Sequence, residues 1–143
     1  MHGAAALGVE KVYDFVLKHK FHALIDGTFQ NYDKEVSNID RSLRDGRAVE
    51  IFYVFQDPIV AWGFTQKREA VEGRNIPKEI FIDTLFAANK NVKKIKFAFG
   101  GRIALHVVLK NITNDQEEIF YNIDEVDKYV NIGYTADEIR ERL

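Results

Sequence analysis

Apolar positions along the chain switch between two spacings, and each switch marks an element. Val9, Val12 and Val16 recur at helical spacing and predict a helix over Ala4 to Lys20. Lys18 and Lys20 sit in its last turn, where cations suit the helix dipole. The apolar run His22-Ala23-Leu24-Ile25 then predicts a buried strand over Phe21 to Thr28, closed by Asp26-Gly27-Thr28-Phe29. Val36, Ile39 and Leu43 share one face of a second helix, Tyr32 to Asp45, with Gly46 as its C′ residue. Val49 to Phe55 is almost continuously apolar, as a strand covered on both faces should be. Asp57-Pro58 has the form of an N-cap followed by a first-turn proline. It predicts a helix carrying Val60, Trp62 and Phe64 toward Glu72-Gly73.

The second half continues the alternation. Ile76-Pro77 opens a long helix ending near Phe99, with Phe81, Leu85, Ala88, Val92, Ile95 and Phe99 as its apolar stripe. Gly100-Gly101 stops it. Ile103, Leu105, Val107 and Leu109 alternate as a strand, Asn111 to Glu118 reads as a polar loop, and Ile119-Phe120-Tyr121 as a short strand. Thr135 with Glu138 matches a capping box for a last helix, Ala136 to Leu143. Strands alternating with helices predict an α/β layer fold with a mostly parallel sheet. No repeat, low-complexity run or linker divides it, so residues 1–143 are read as one domain.

Composition narrows the function classes. With 143 residues, 46% of them hydrophobic, the chain can bury a core. A net charge of −2 without a basic block disfavours nucleic acid as a partner. There is no cysteine, hence no disulfide and no thiolate metal site, which fits a reducing cytoplasm. No stretch reaches the roughly 20 apolar residues a membrane span requires, and Met1 to Leu7 lacks the form of a signal peptide. His2, His19, His22 and His106 have no metal-ligand spacing, and no metal site is assigned. His106 falls on the off-face of its strand, where a solvent-facing or hydrogen-bonded role suits it better than a catalytic one. No Gly-x-Ser-x-Gly hydrolase motif occurs.

The candidate chemistry is an acid, a hydroxyl and two guanidiniums. Asp26 and Thr28 flank Gly27 at the carboxyl end of an expected strand, where α/β sheets place ligands. Arg68 falls on a helix and Arg74 just after Gly73, in a break between helices that can fold over an anion. Guanidinium stays charged and grips phosphate oxygens bidentately. Taken singly, each has an ordinary structural explanation: a surface arginine is commonly solvated, and Asp-Gly commonly makes a turn.

Four blocks taken together are more specific. Ala4-Ala5-Ala6-Leu7-Gly8, Leu24-Ile25-Asp26-Gly27-Thr28-Phe29, Tyr53-Val54-Phe55-Gln56-Asp57-Pro58 and Glu72-Gly73-Arg74-Asn75-Ile76-Pro77-Lys78-Glu79 resemble successive blocks of the zeta toxin family. That family comprises P-loop kinases, some of which phosphorylate UDP-N-acetylglucosamine with ATP. The resemblance implies a P-loop-kinase-like three-layer sandwich, with ATP and Mg2+ as cofactors and a nucleotide sugar or an antitoxin as partner. It implies that Asp26 faces the substrate sugar with Thr28 beside it, and that Arg68 and Arg74 are catalytic lid residues on the transferring phosphates. Their contribution would be electrostatic, since phosphoryl transfer is mostly positioning and charge stabilisation.

The departure from the family pattern matters equally. Gly-x-x-x-x-Gly-Lys-Ser/Thr, and the strand before it, have no counterpart in these residues. Gly100-Gly101 follows a helix and precedes a strand, the reverse of a phosphate cradle. The chain then reads as the C-terminal part of such a kinase, whether an expression fragment, a truncated gene or a remnant with another role. It is expected to be inactive alone. The alternative is a non-catalytic binding or oligomerisation module, self-associating through strand edges left open near residues 22–28 and 102–109.

Overall fold

The structure is a computed structural model and describes residues 2–73, 75–111 and 116–143. Five α-helices and three strands are described: α1 (His2–Lys18), α2 (Tyr32–Arg44), β1 (Glu50–Gln56), α3 (Pro58–Glu72), α4 (Lys78–Phe99), β2 (Ala104–Asn111), β3 (Gln116–Phe120) and α5 (Ala136–Arg142). Two short 3-10 turns, Gly100–Arg102 and Val126–Lys128, complete the order. The fold is α/β, as the alternation predicts.

Local chemistry sets most boundaries. Asn31 caps α2 by accepting from the Lys34 N–H at 3.1 Å. Asp57 caps α3 by accepting from the N–H groups of Ile59 and Val60, with Pro58 in the first turn. Gly73 ends α3 in the left-handed conformation (φ 66°), which a residue with a Cβ adopts only at a cost. Thr135 and Glu138 form the expected capping box at α5.

The sheet has the order β1-β2-β3. β1 and β2 are parallel, from Glu50↔Ala104 to Gln56↔Lys110. β2 and β3 are antiparallel, with Val107↔Phe120 and Val108↔Ile119. The sheet is therefore mixed rather than mostly parallel. A short, polar connection after β2 has no room for the crossover helix that a parallel third strand needs.

Register divides the side chains between two faces. Ile51, Tyr53 and Phe55 of β1, Leu105, Val107 and Leu109 of β2, and Phe120 of β3 pack with Val92, Ile123, Val126 and Val130. A second cluster joins Ile39 of α2, Ile95 and Phe99 of α4, and Ile103. Phe29 and Ile51 touch both clusters, so α2 and α4 cover one continuous face. The opposite face carries Phe52, His106 and Tyr121 in one row, and Val54, Val108 and Ile119 in the next. Phe52 and Val54 remain half exposed there. Among the described residues helices cover one face of the sheet, and a second covering layer is not seen.

Two expectations are corrected. Phe21 to Thr28 is not a strand: residues 21–31 have no regular secondary structure, and 21–28 are exposed. Nor is the strand near 102–109 an open edge, because β2 is central and pairs on both sides. The free edges among the described residues belong to β1 and β3. Two smaller differences follow from tertiary contacts. β3 begins at Gln116, inside the expected loop, because it pairs with β2. The other concerns α3, where Val60 and Phe64 are partly exposed and Trp62 meets the edge of Phe81.

Candidate functional site

Asp26 and Thr28 lie on the irregular segment that follows α1, and both are exposed. Neither side chain makes a hydrogen bond or ion pair among the described residues, so both are free to meet a ligand. The position of the segment is nevertheless fixed by its flanks. At its start, the Arg47 guanidinium donates to the Phe21 carbonyl at 2.6 Å and to the Val16 carbonyl at 2.8 Å. Those carbonyls belong to the end of α1 and the residues just after it, where helix acceptors lack intrahelical partners. Arg47 is itself held by Asp45 at 2.9 Å.

At its end, the buried Asn91 of α4 donates to the carbonyls of Phe29 (3.0 Å) and Gln30 (2.8 Å). Phe29 adopts φ +58°, unusual for a residue with a bulky side chain. The cost is met by its ring packing into both core clusters and by the Asn91 bonds. Asp26-Gly27-Thr28 is thus displayed between two anchored points. The sequence reading missed both anchors. Only the second carries a signal: Asn91 flanks the apolar stripe of α4, and an asparagine is destabilising in a helix interior unless its amide has a partner.

Arg68 lies on α3, exposed, with its Nε 3.6 Å from Glu72 one turn on. An exposed pair of that length constrains the guanidinium weakly. Arg74 lies outside the described residues. Before it Gly73 is left-handed, and after it the Asn75 amide donates to the Glu69 carboxylate. No hydrogen bond or ion pair joins Arg68 to Asp26 or Thr28 among the described residues.

The histidines are accounted for. His106 is buried, accepts at Nδ1 from the Asn122 N–H at 2.9 Å, and is sandwiched by Phe52 and Tyr121. The acceptor role at Nδ1 places the proton on Nε2, which lies 3.8 Å from a Glu50 oxygen. His106 therefore braces the sheet face. Among the described residues no group of three His, Asp or Glu side chains converges as metal ligands do. No helix of the described residues is long and apolar enough to cross a membrane.

The sequence model of the family described as Zeta toxin matches residues 1–126. No curated protein and no solved structure matches the chain.

Proposed function

The chain belongs to the zeta toxin family, as a kinase-like domain, and from that premise we propose that it carries the substrate side of a nucleotide-sugar kinase. In this reading Asp26 and Thr28 take hydroxyls of a sugar nucleotide such as UDP-N-acetylglucosamine. Arg68 and Arg74 neutralise charge on phosphate oxygens. The reaction would move the γ-phosphoryl group of ATP, with Mg2+, onto a sugar hydroxyl, giving ADP, a phosphorylated sugar and a proton. The carrying observation is the family match, whose span contains all four residues. Two features support it. Among the described residues Asp26 and Thr28 are exposed and unpartnered, on a segment anchored through Arg47 and Asn91. Arg68 is exposed and loosely held, as a residue that must reach a phosphate requires.

These 143 residues hold no Gly-Lys-Ser/Thr loop, so on their own they should bind without transferring. Losing such electrostatic groups costs orders of magnitude in rate. Two observations fit a sheet that lacks one strand: β1 has a free edge, and residues 21–28 have no ladder. A strand and a further covering layer there would complete the three-layer sandwich.

The test is calorimetric titration of UDP-N-acetylglucosamine into the chain and into Asp26→Ala and Arg68→Ala variants. Saturable heat that either substitution weakens is expected; heats that both variants share with the parent overturn the site. A phosphorylated sugar formed from ATP by the chain alone would overturn its inactivity. A second reading, a non-catalytic module that self-associates, is favoured by the free β1 edge beside exposed Phe52 and Val54. Concentration-dependent dimerisation abolished by Val54→Lys would support it.

A further inference from the structure

The C-terminal segment packs back against α4 and leaves between them an open cleft of about 570 Å³. That volume lies in the range of small-molecule sites, roughly 300–1,000 Å³. One side is the face of α4 bearing Phe86, Asn89 and Lys93; the other is the run from Asp127 to Glu138. The second wall lies beyond the residues that the family match covers, so the phosphate-transfer reading assigns it nothing.

The chemistry of the lining is selective. Every ionised group in it already has an internal partner. Lys93 pairs with Asp127. The Glu138 carboxylate accepts from the Thr135 N–H (2.8 Å) and hydroxyl (3.1 Å). Those donors hold its carboxyl below the ordinary range. Lys93 and Asp127 offset each other, so the one net charge of the lining is the Glu138 carboxylate, which disfavours anions. What remains is neutral and polar. Asn89 is 7% exposed, donates its amide N–H to the Tyr53 hydroxyl at 3.3 Å, and has a carbonyl oxygen with no donor among the described residues. The Asn131 side-chain carbonyl accepts from the Gly133 N–H, which leaves its NH2 group as a donor. Two half-buried rings, Phe86 and Tyr134, add apolar surface, with the Arg142 guanidinium over the Tyr134 ring at 5.0 Å.

The walls are also fixed before any ligand arrives. Val130 is buried at the base of the segment, the Thr135 capping box rigidifies the start of α5, and Lys78 and Glu79 tie Arg140 to α4. A preformed cleft needs little ordering on binding.

From an unpaired amide acceptor, an amide donor and aromatic surface, with no cation left unpaired to hold an anion, we infer that this cleft binds an uncharged, hydroxyl-bearing ring of monosaccharide size. Apolar ring faces would lie on the aromatic side chains while the two asparagines meet hydroxyl or amide groups. The test is a two-dimensional amide NMR titration of the chain with D-glucose and with N-acetyl-D-glucosamine, against glycerol and inorganic phosphate as controls. Saturable shifts confined to residues 86–93 and 127–138 are expected for at least one sugar and for neither control. Tyr134→Ala should weaken them about tenfold, the scale of one aromatic contact. If that variant does not fold, Phe86→Leu keeps the apolar volume and removes the flat ring, with the same expected direction. Absence of saturable shifts with either sugar, equal shifts with phosphate, or undiminished affinity in the folded variant would overturn the assignment. The readout involves neither ATP nor Asp26, so it stands or falls apart from the kinase reading.

Discussion

Two stretches of this chain carry nearly the same apolar signal, residues 21–28 and residues 49–55, and they end in opposite states. The second becomes β1. Its seven residues pair in unbroken parallel register with β2, and every second side chain enters the core. The first becomes an exposed segment in which Leu24 is 96% exposed and Ile25 half exposed. The difference is in the partner, not in the side chains. A strand is stable only when its backbone groups find a ladder, since unpaired polar groups are costly away from water. Residues 21–28 have no ladder among the described residues, so their backbone stays in solvent and their ends are tied by side chains instead.

The sharpest way to break this comparison is to delete the same side chain from both regions. Leu105 of β2 is fully buried. Leu105→Ala removes those contacts and leaves a cavity, and should cost about 2–5 kcal/mol in denaturant unfolding. Leu24→Ala should stay within about 0.5 kcal/mol of the parent. A Leu24→Ala cost approaching that of Leu105→Ala would mean that the segment is packed in solution, and the contrast would fail.

A subtler substitution tests how the exposed segment is held. Asn91→Ala removes both amide hydrogen bonds to the Phe29 and Gln30 carbonyls and leaves a void beside α4. We expect a loss of about 1–3 kcal/mol, the cost of orphaning buried polar groups. Hydrogen exchange should accelerate at residues 26–31 while β1 and β2 keep their protection. Exchange that accelerates equally in β2 would show that Asn91 supports the core at large and does not specifically anchor the segment.

What could be read from the sequence follows the same division. Elements defined by their own local chemistry were legible: α3 through Asp57-Pro58, α5 through Thr135 and Glu138, and α2 and α4 through apolar spacing. Elements defined by a distant partner were not. The ladderless state of residues 21–28, the antiparallel direction of β3 and the turn at Val126–Lys128 all depend on contacts from far along the chain. Of the candidate site residues, Asp26, Thr28 and Arg68 are exposed, and no hydrogen bond or ion pair joins them among the described residues. Arg47 and Asn89 were invisible, and Asn91 signalled no more than the need for a partner, because a charged or amide side chain says nothing alone about the carbonyl or hydroxyl it will find. Asn89 and Asn91 also flank an apolar stripe that by itself reads as simple core.

The smallest expected effect concerns the attachment of α5, which lines the C-terminal cleft. Glu79 of α4 receives two hydrogen bonds from Arg140, each at 2.9 Å, and the Lys78 ammonium donates to the Arg140 carbonyl at 3.0 Å. The hydrogen bond from Arg140 holds the Glu79 carboxyl below its ordinary range, against a smaller opposing desolvation, with the charges of Arg140 and Lys78 adding to the lowering. A carboxyl lowered in the folded state stabilises it at pH values above the unfolded pKa. That stabilisation fades as pH falls through the folded value. Glu138 acts in the same direction through its bonds from Thr135. Both carboxylates face solvent, so screening keeps the effect small. Protection of the α5 amides, relative to their intrinsic exchange rates, should therefore fall in acid ahead of protection in β2, and Glu79→Gln should remove part of that pH dependence. An unchanged acid profile in Glu79→Gln would move the cause to Glu138, where Glu138→Gln should then flatten it.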